Sequence, residues 1–476
     1  MKIGFDLHYD ETPLFIEIGK YLSDTYQAEI SGVSLGKRWS RQLEGQKFIS
    51  IENVSEFFQQ IWERETDIDS HLAEYERKYN ISNLSSFILA DRYLVKKPYD
   101  FCRRYLLAMF RFWEHYFEQA RPDVFLGPGV QSVFHLVCFH VARKNGAHYF
   151  NFYGARYPHE RFAIAVDNIY EQWTRVNDLY REYLGRELKP EERNKAQTFL
   201  DDFRRRGTGP DFYRISPRHR PKLSFYHLRL FWERLRNYYL DGWGRDQIDI
   251  LSKSPFWYAR RDLRRILLAP IHSRTYFEKP RDDEKFIFYP LHFQPEANTL
   301  IMAPYLVNQI AVVDNIAKSL PVNYRLYVKE HFGSIGYRKG SYYNEIKAIP
   351  NVRLIDPFAN SHDLIRRAEI TITIGSTAGW EALLYNKPVI HLGRSFYGAS
   401  NLCYRIDNFS ELPSVIKKIE DDYQPDEEKL IRFIAALLNG TYPGRPALPH
   451  VDPAIMRPDN IKLFAEGIYD EFNRLK

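Results

Sequence analysis

The sequence predicts an α/β protein made of two doubly wound, Rossmann-type domains. Three observations predict it. From residue 286 onward, short β-branched or aromatic runs alternate with stretches of helical period, as in a parallel, right-handed βα sheet. A shorter series at 2–7, 122–126 and 147–152 does the same in the first third of the chain. The 476 residues, 44% hydrophobic and 27% charged, are enough for two separate cores.

Taken in order, 2–7 reads as a first strand and 13–22 as a helix, with His8 in the loop between them. Loops at strand ends are where α/β folds keep functional groups. From 52 to 120 the pattern is helical, with aromatics at three- and four-residue spacings that suit a core. The pair Asp67 and Asp69 lies in a polar helical stretch with no strand before it, and reads as a solvated face. A strand at 122–126, a helix at 131–144 and a strand at 147–152 follow. They lead into a loop that packs Arg156, His159, Glu160, Arg161 and Asp167 into twelve residues. Such a cluster can bind an anionic sugar and supply an acid or base, and it can equally be a surface salt-bridge set.

Residues 204–279 differ in composition. They hold 18 Lys and Arg against 7 Asp and Glu, a local excess of +11. With a net charge of +6 for the chain, the remainder carries 6 − 11 = −5. The arginines are interleaved with aromatics such as Phe231, Trp232 and Trp257. A basic, aromatic-rich segment on a mildly acidic protein points to an anionic surface. Its basic face is expected to meet anionic lipid of the inner membrane or acidic glycan; no nucleic-acid motif accompanies the segment, and no nucleic-acid partner is expected.

Beyond 286, strands at 286–289, 324–328, 352–355, 370–374 and 388–392 alternate with helices at 304–320, 341–348, 361–368 and just after Gly375. Gly375 breaks a β-branched run, Ser376 or Thr377 can cap the helix, and Pro388 closes it. Free N–H groups and the dipole at such a helix start favour a phosphate. Glu381, a turn further in, is placed to accept hydrogen bonds from a ribose diol. Ligands sit beyond the carboxyl ends of the strands. Those ends carry His292 and Glu296, Lys329 and His331, Asp356, Gly375 with Ser376 and Thr377, and His391 with Arg394. Three histidines, a lysine, an arginine and two hydroxyls on one edge make a phosphate site without a conventional P-loop. The domains expected are 1–170 as a first α/β domain, 171–280 as a helical insert, 281–455 as a second, phosphate-binding Rossmann-like domain, and 456–476 as a helix crossing back.

Four stretches, 289–297, 328–331, 349–355 and 375–383, resemble the capsule polysaccharide synthesis family, which includes Kdo transferases that use CMP-Kdo. The resemblance covers roughly 285–400 and is weak over 1–280. It implies a GT-B glycosyltransferase. Lys329, His331, Ser376, Thr377 and Glu381 would then hold the donor nucleotide, and His292 and Glu296 would lie near its sugar. Where family members often have proline after Lys-Glu-His, this chain has Phe332. GT-B enzymes generally work without a bound metal, so neither metal nor cofactor is expected beyond the nucleotide-sugar donor.

The expected reaction moves a sugar, with Kdo from CMP-Kdo as the example the resemblance offers, onto a growing surface polysaccharide or glycolipid. A base or nucleophile from the first domain is needed, and His8, Glu160 and Asp167 are the candidates; Arg156 and Arg161 are candidates for the acceptor. A nucleotide-sugar epimerase, a CDP-glycerol-type transferase and a non-catalytic binding module for anionic surfaces remain alternatives. The acidic residues Asp6 and Asp10 argue against a signal peptide, and no apolar run nears the roughly 20 residues of a membrane span. Three scattered cysteines imply no disulfide framework. A cytoplasmic protein is expected, with a peripheral place on the inner membrane as the location the basic segment suggests.

Overall fold

The computed structural model describes the chain apart from residues 9, 37–42, 44, 47–48, 63–66, 156–157, 207–224, 241–249 and 251–252. It forms two compact units. Unit 1 comprises Met1–Glu171, Ser224–Arg260 and Tyr442–Lys476; unit 2 comprises Gln172–Leu223 and Arg261–Thr441. The strands, numbered along the chain, are β1 Lys2–Asp6, β2 Glu29–Ser34, β3 Ile49–Asn53, β4 Val124–Gly127, β5 His148–Gly154, β6 Arg161–Val166, β7 Phe286–Pro290, β8 Arg325–Lys329, β9 Val352–Ile355, β10 Ile370–Thr373, β11 Val389–His391, β12 Tyr404–Arg405 and β13 Tyr442–Pro443.

In unit 1 the sheet order is β13-β6-β5-β4-β1-β2-β3. The five strands from β5 to β3 run parallel, while β6 and β13 are antiparallel additions at one edge. The central strand β1 is apolar because both its faces are covered: Ile3 and Phe5 are fully buried. The helix Pro458–Leu475 returns to this unit. Its Phe464 ring lies 4.6 Å from Phe162, and its Tyr469 stacks on Tyr26 at 3.8 Å. Gly467 is needed there, since a Cβ would come within 2.6 Å of the Phe162 ring.

Two features of unit 1 depart from the sequence pattern. Two strands, β2 and β3, lie in stretches too mixed to signal themselves. The reversal into β6 makes this sheet mixed at its edge. Asp67 and Asp69 are exposed, as a solvated face requires; Asp67 caps a helix, accepting from the Ser70 N–H, and Asp69 pairs with Arg103.

Unit 2 has the order β12-β11-β10-β7-β8-β9, every pair parallel. Its core unites Ile287, Tyr289, Val328, Leu354, Ile372 and Ile390 from the strands with Val312, Ile316 and Ile346 from the helices. The helix expected over 304–320 is shorter, Gln309–Lys318, and is capped by Asn308, whose side chain accepts from Ala311 N–H. The helix after β10 is Thr377–Leu384. Both units are therefore α/β with parallel-stranded, Rossmann-like sheets. No described helix is long and apolar enough to cross a membrane.

Candidate functional site

In a doubly wound sheet the crevice opens where the strand order reverses direction. In unit 2, β7-β8-β9 run one way and β10-β11-β12 the other, so the reversal lies between β7 and β10. The loop after β7 carries His292 and the turn after β10 carries Gly375 and Ser376.

Lys329 ends β8 with its side chain buried, donating from Nζ to the Pro357 carbonyl at 2.9 Å. Burial lowers its pKa to about 8, against the opposing pull of Asp356, Glu330 and Glu381. His331 accepts the Gly333 N–H at Nδ1, 3.1 Å, which leaves its proton on Nε2 as a donor. Burial, then the charges of Lys329, His292, Arg338 and Arg265, push it down to about 3. His391 contacts Ser395 Oγ at 3.1 Å and is lowered to about 4 by burial, Arg405 and His292.

His292 is buried, and among the described residues neither ring nitrogen has a hydrogen-bond partner. Burial and the Arg338 charge lower it to about 4. Its backbone is pinned instead: Gln309 accepts its N–H at 2.7 Å and donates to its carbonyl at 3.1 Å, and Arg338 donates to the same carbonyl at 2.9 Å. Lys329 and His391 end β8 and β11, and His292, His331 and Asp356 follow β7, β8 and β9, all at the carboxyl edge of the unit 2 sheet; Glu381 lies in the helix after β10, and its charge acts on Lys329. They form a desolvated group of neutral imidazoles beside a buried ammonium, a setting that favours a bound anion.

The helix Thr377–Leu384 begins at this edge. Ser376 precedes it without capping it through its side chain; its Oγ lies 2.8 Å from Thr373 Oγ1. Thr373 Oγ1 accepts the N–H groups of Gly375 and Ser376 at 3.2 and 2.9 Å. A Cβ on Gly375 would meet the Arg394 carbonyl at 2.8 Å, so only glycine fits. Thr377 opens the helix, and Glu381 is buried one turn in. The Arg394 side chain is exposed, and Glu296 is half-buried at the start of the short helix Ala297–Leu300. Phe332, where proline was the family expectation, lays its ring on His331 with centroids 4.6 Å apart.

Sequence reasoning missed Arg338 and Glu330. Glu330 is fully buried, takes an ion pair from Arg338 at 2.8 Å and accepts from Tyr343 OH at 3.1 Å. Burial raises its pKa while Arg338 opposes the rise. Arg338 thereby ties the β8 loop to the His292 loop; no spacing in the sequence announces it. A pocket of about 360 Å³ lined by Leu383, Asn386, Cys403, Tyr404 and Tyr423 lies at the opposite, amino-terminal edge of this sheet, away from these groups.

The first-domain candidates all fall in unit 1. Its sheet order reverses between β1 and β4, and His8 follows β1 at that point. Glu160 is exposed in the turn from β5 to β6, and Arg161 opens β6 at the same carboxyl edge. Arg156 lies outside the described residues. Asp167 sits elsewhere: because β6 runs antiparallel, its end reaches the amino-terminal edge of the sheet. There Asp167 pairs with Arg143 at 2.7 Å and His148 at 2.9 Å, and accepts from Tyr149 N–H. It serves the fold at the edge opposite His8.

Residues 307–408 match the family model described as capsule polysaccharide biosynthesis protein. The match covers well under half of the chain. The matched stretch takes in Lys329, His331, Gly375, Ser376 and Glu381, and begins after His292 and Glu296. Protein FixF of Sinorhizobium fredii is 29% identical over 160 residues, 32% of this chain and 37% of that protein. The chain thus spans little more than a third of this curated relative. Among solved structures, the Thermosulfurimonas dismutans KpsC β Kdo 2,4 transferase superposes with TM-score 0.40 at 16% identity, covering 72% of this chain and 86% of that one. The S. aureus MnaA–UDP co-structure gives TM-score 0.28 at 12% identity, over 95% and 94% of the two chains.

Proposed function

We propose that the chain is a GT-B glycosyltransferase of surface or capsular polysaccharide synthesis. It moves a sugar from a nucleotide-sugar donor onto a growing glycan or glycolipid. The observation that carries this reading is the buried imidazole and lysine group at the strand-order reversal of unit 2, most of it inside the stretch that matches the family model. In the proposal, Lys329, His331 Nε2–H and the helix start at Gly375, Ser376 and Thr377 hold the donor phosphate, with Arg394 at the rim. Glu381 takes the ribose diol, and His292 and Glu296 face the donor sugar. These groups offset the charge that grows on the leaving phosphate, at roughly 10²–10³ in rate for each well-placed donor. The reading invokes no metal.

Unit 1 supplies the acceptor side, with His8 and Glu160 as candidate bases and Arg161 and Arg156 as candidate acceptor contacts. We place the protein in the cytoplasm, peripheral on the inner membrane. Support comes from the helices Phe225–Leu240 and Pro255–Thr275. The first exposes Phe225, Leu228, Trp232, Tyr239 and Leu240, spaced as one helical face. The second exposes Phe256, Leu263, Leu267 and Ile271 on a face that also carries Arg260, Arg264 and Arg274.

The test is incubation with CMP-Kdo, UDP-sugars and GDP-sugars, each with and without glycan acceptors. Acceptor-dependent nucleotide release that disappears in His331→Ala supports transfer. Conversion of a nucleotide sugar with no acceptor present would assign the same site to an epimerase instead.

A further inference from the structure

The reversal point of the unit 1 sheet holds a second group of buried side chains. Asp6 is the last residue of β1, His8 follows two positions later, and His135 lies in the first turn of the helix Val133–Lys144 that follows β4. These are the carboxyl ends of the two strands between which the order turns, where an α/β sheet opens its crevice. All three side chains are fully buried.

Their contacts fix where the protons sit. The Gln131 N–H can only donate, and it donates to His135 Nδ1 at 3.3 Å; Ser132 Oγ lies 3.1 Å from the same nitrogen. His135 therefore carries its proton on Nε2 and gives it to Asp6 Oδ2 at 2.9 Å. The other carboxylate oxygen, Oδ1, touches His8 Nδ1. A carboxylate wedged between two imidazoles fixes His8 with its proton on Nδ1 and its lone pair on Nε2. Burial works to raise the Asp6 pKa, and the two histidines outweigh it and hold it low, so the carboxylate stays charged. The Phe134 ring packs edge-on to His8 with centroids 4.5 Å apart. The other titratable groups that sense this cluster are Asp91, Cys138 and Glu11.

We infer that His8 is the proton acceptor of the sugar-transfer step, and that Asp6 and His135 are positioning residues that fix its tautomer and orientation. The inference rests on the transferase reading above. In the step that makes the glycosidic bond, the acceptor oxygen bonds to the anomeric carbon. The bond from that carbon to the departing oxygen breaks, its electron pair leaving with that oxygen, and the hydroxyl proton passes to His8 Nε2. Asp6 stays ionised and stabilises the imidazolium that forms, while His135 keeps Asp6 from rotating away.

The test has one arm that needs no activity. Imidazole nitrogen NMR of the full chain is expected to show His8 protonated on Nδ1 and His135 on Nε2, with the His8 signal changed in Asp6→Asn. His8 protonated on Nε2 in the wild type overturns the relay whatever the chain catalyses. So does a stoichiometric metal ion in the purified protein, which would make the three side chains its ligands.

The second arm is steady-state transfer. His8→Gln should lower kcat by roughly 10²–10⁴-fold, and Asp6→Asn by a smaller factor, with the donor KM near the wild-type value. His135→Gln, which keeps most of the packing, should lower kcat and shift the acidic limb of its pH profile. If all three variants melt early yet keep wild-type kcat in the folded fraction, the cluster is only a structural hub and the inference fails. Wild-type chain that shows the predicted tautomers but transfers from no donor would sink the transferase reading, and the base assignment with it.

Discussion

At the residue scale, the site in unit 2 is a problem of charge without water. His292 and His391 are held at about 4 and His331 at about 3, each chiefly by burial, against an ordinary 6.5. A depressed histidine pKa means the unfolded chain binds protons that the folded chain refuses. Stability is then fully present above about pH 6.5 and is lost as the pH falls toward 4. At one pKa unit per 1.36 kcal/mol, each such histidine withdraws ~3 kcal/mol by pH 4. Urea unfolding at pH 7.5, 6, 5 and 4 should show the loss beginning near 6.5; a midpoint that does not move above pH 4 would contradict the burial of these rings. Arg338→Ala would leave the Glu330 carboxylate buried without a cation, a change worth ~3–5 kcal/mol. The double variant Glu330→Gln, Arg338→Met should recover part of that loss in the same urea experiment. The sequence displayed the histidines and Lys329 because each lies at the end of a short, mainly apolar run. Arg338 was invisible, since it comes from an irregular loop and meets Glu330 through the fold alone. Asp6 and His135 were invisible as a pair because 129 positions separate them.

At the scale of elements, both sheets reverse direction beside their first strand, between β1 and β4 in one and between β7 and β10 in the other. The loop after each first strand carries a buried histidine, His8 and His292. The five unit 2 strands β7 to β11 were legible almost to the residue, because a parallel sheet needs unbroken apolar runs bounded by polar ends, while the two-residue edge strand β12 gave no such run. Asp167 shows what was not legible. Whether β6 runs parallel or antiparallel depends on the turn after Gly154, and that sense decides which edge Asp167 occupies. The turn after β10 makes its own prediction. Gly375→Ala would press a Cβ to 2.8 Å from the Arg394 carbonyl, a backbone atom that cannot step aside cheaply. The substitution should cost about 1–3 kcal/mol and remove any stabilisation by nucleotide, as read by thermal melting with and without ligand. A variant that melts and binds like the wild type would show that the turn is looser than described.

For the whole molecule, the two exposed helical faces between 225 and 275 predict attachment to an anionic bilayer. Trp232 is 60% exposed and Leu267 58%, so replacing both by serine should leave the melting temperature nearly unchanged. Sedimentation with phosphatidylglycerol vesicles should fall several-fold in that variant, and wild-type binding should weaken with salt. Wild-type protein that ignores such vesicles would remove the membrane from the account. The central claim is narrower: the carboxyl edge of the unit 2 sheet grips a nucleotide's phosphate. Thermal melting of wild type and His331→Ala against CMP, CDP, UDP and GDP tests it most directly. A ligand at 100 times its Kd should add about 2.7 kcal/mol to the wild type. The account predicts that at least one nucleotide raises the wild-type melting temperature and that His331→Ala loses most of the rise. No rise with any of the four, or an equal rise in the variant, would contradict it.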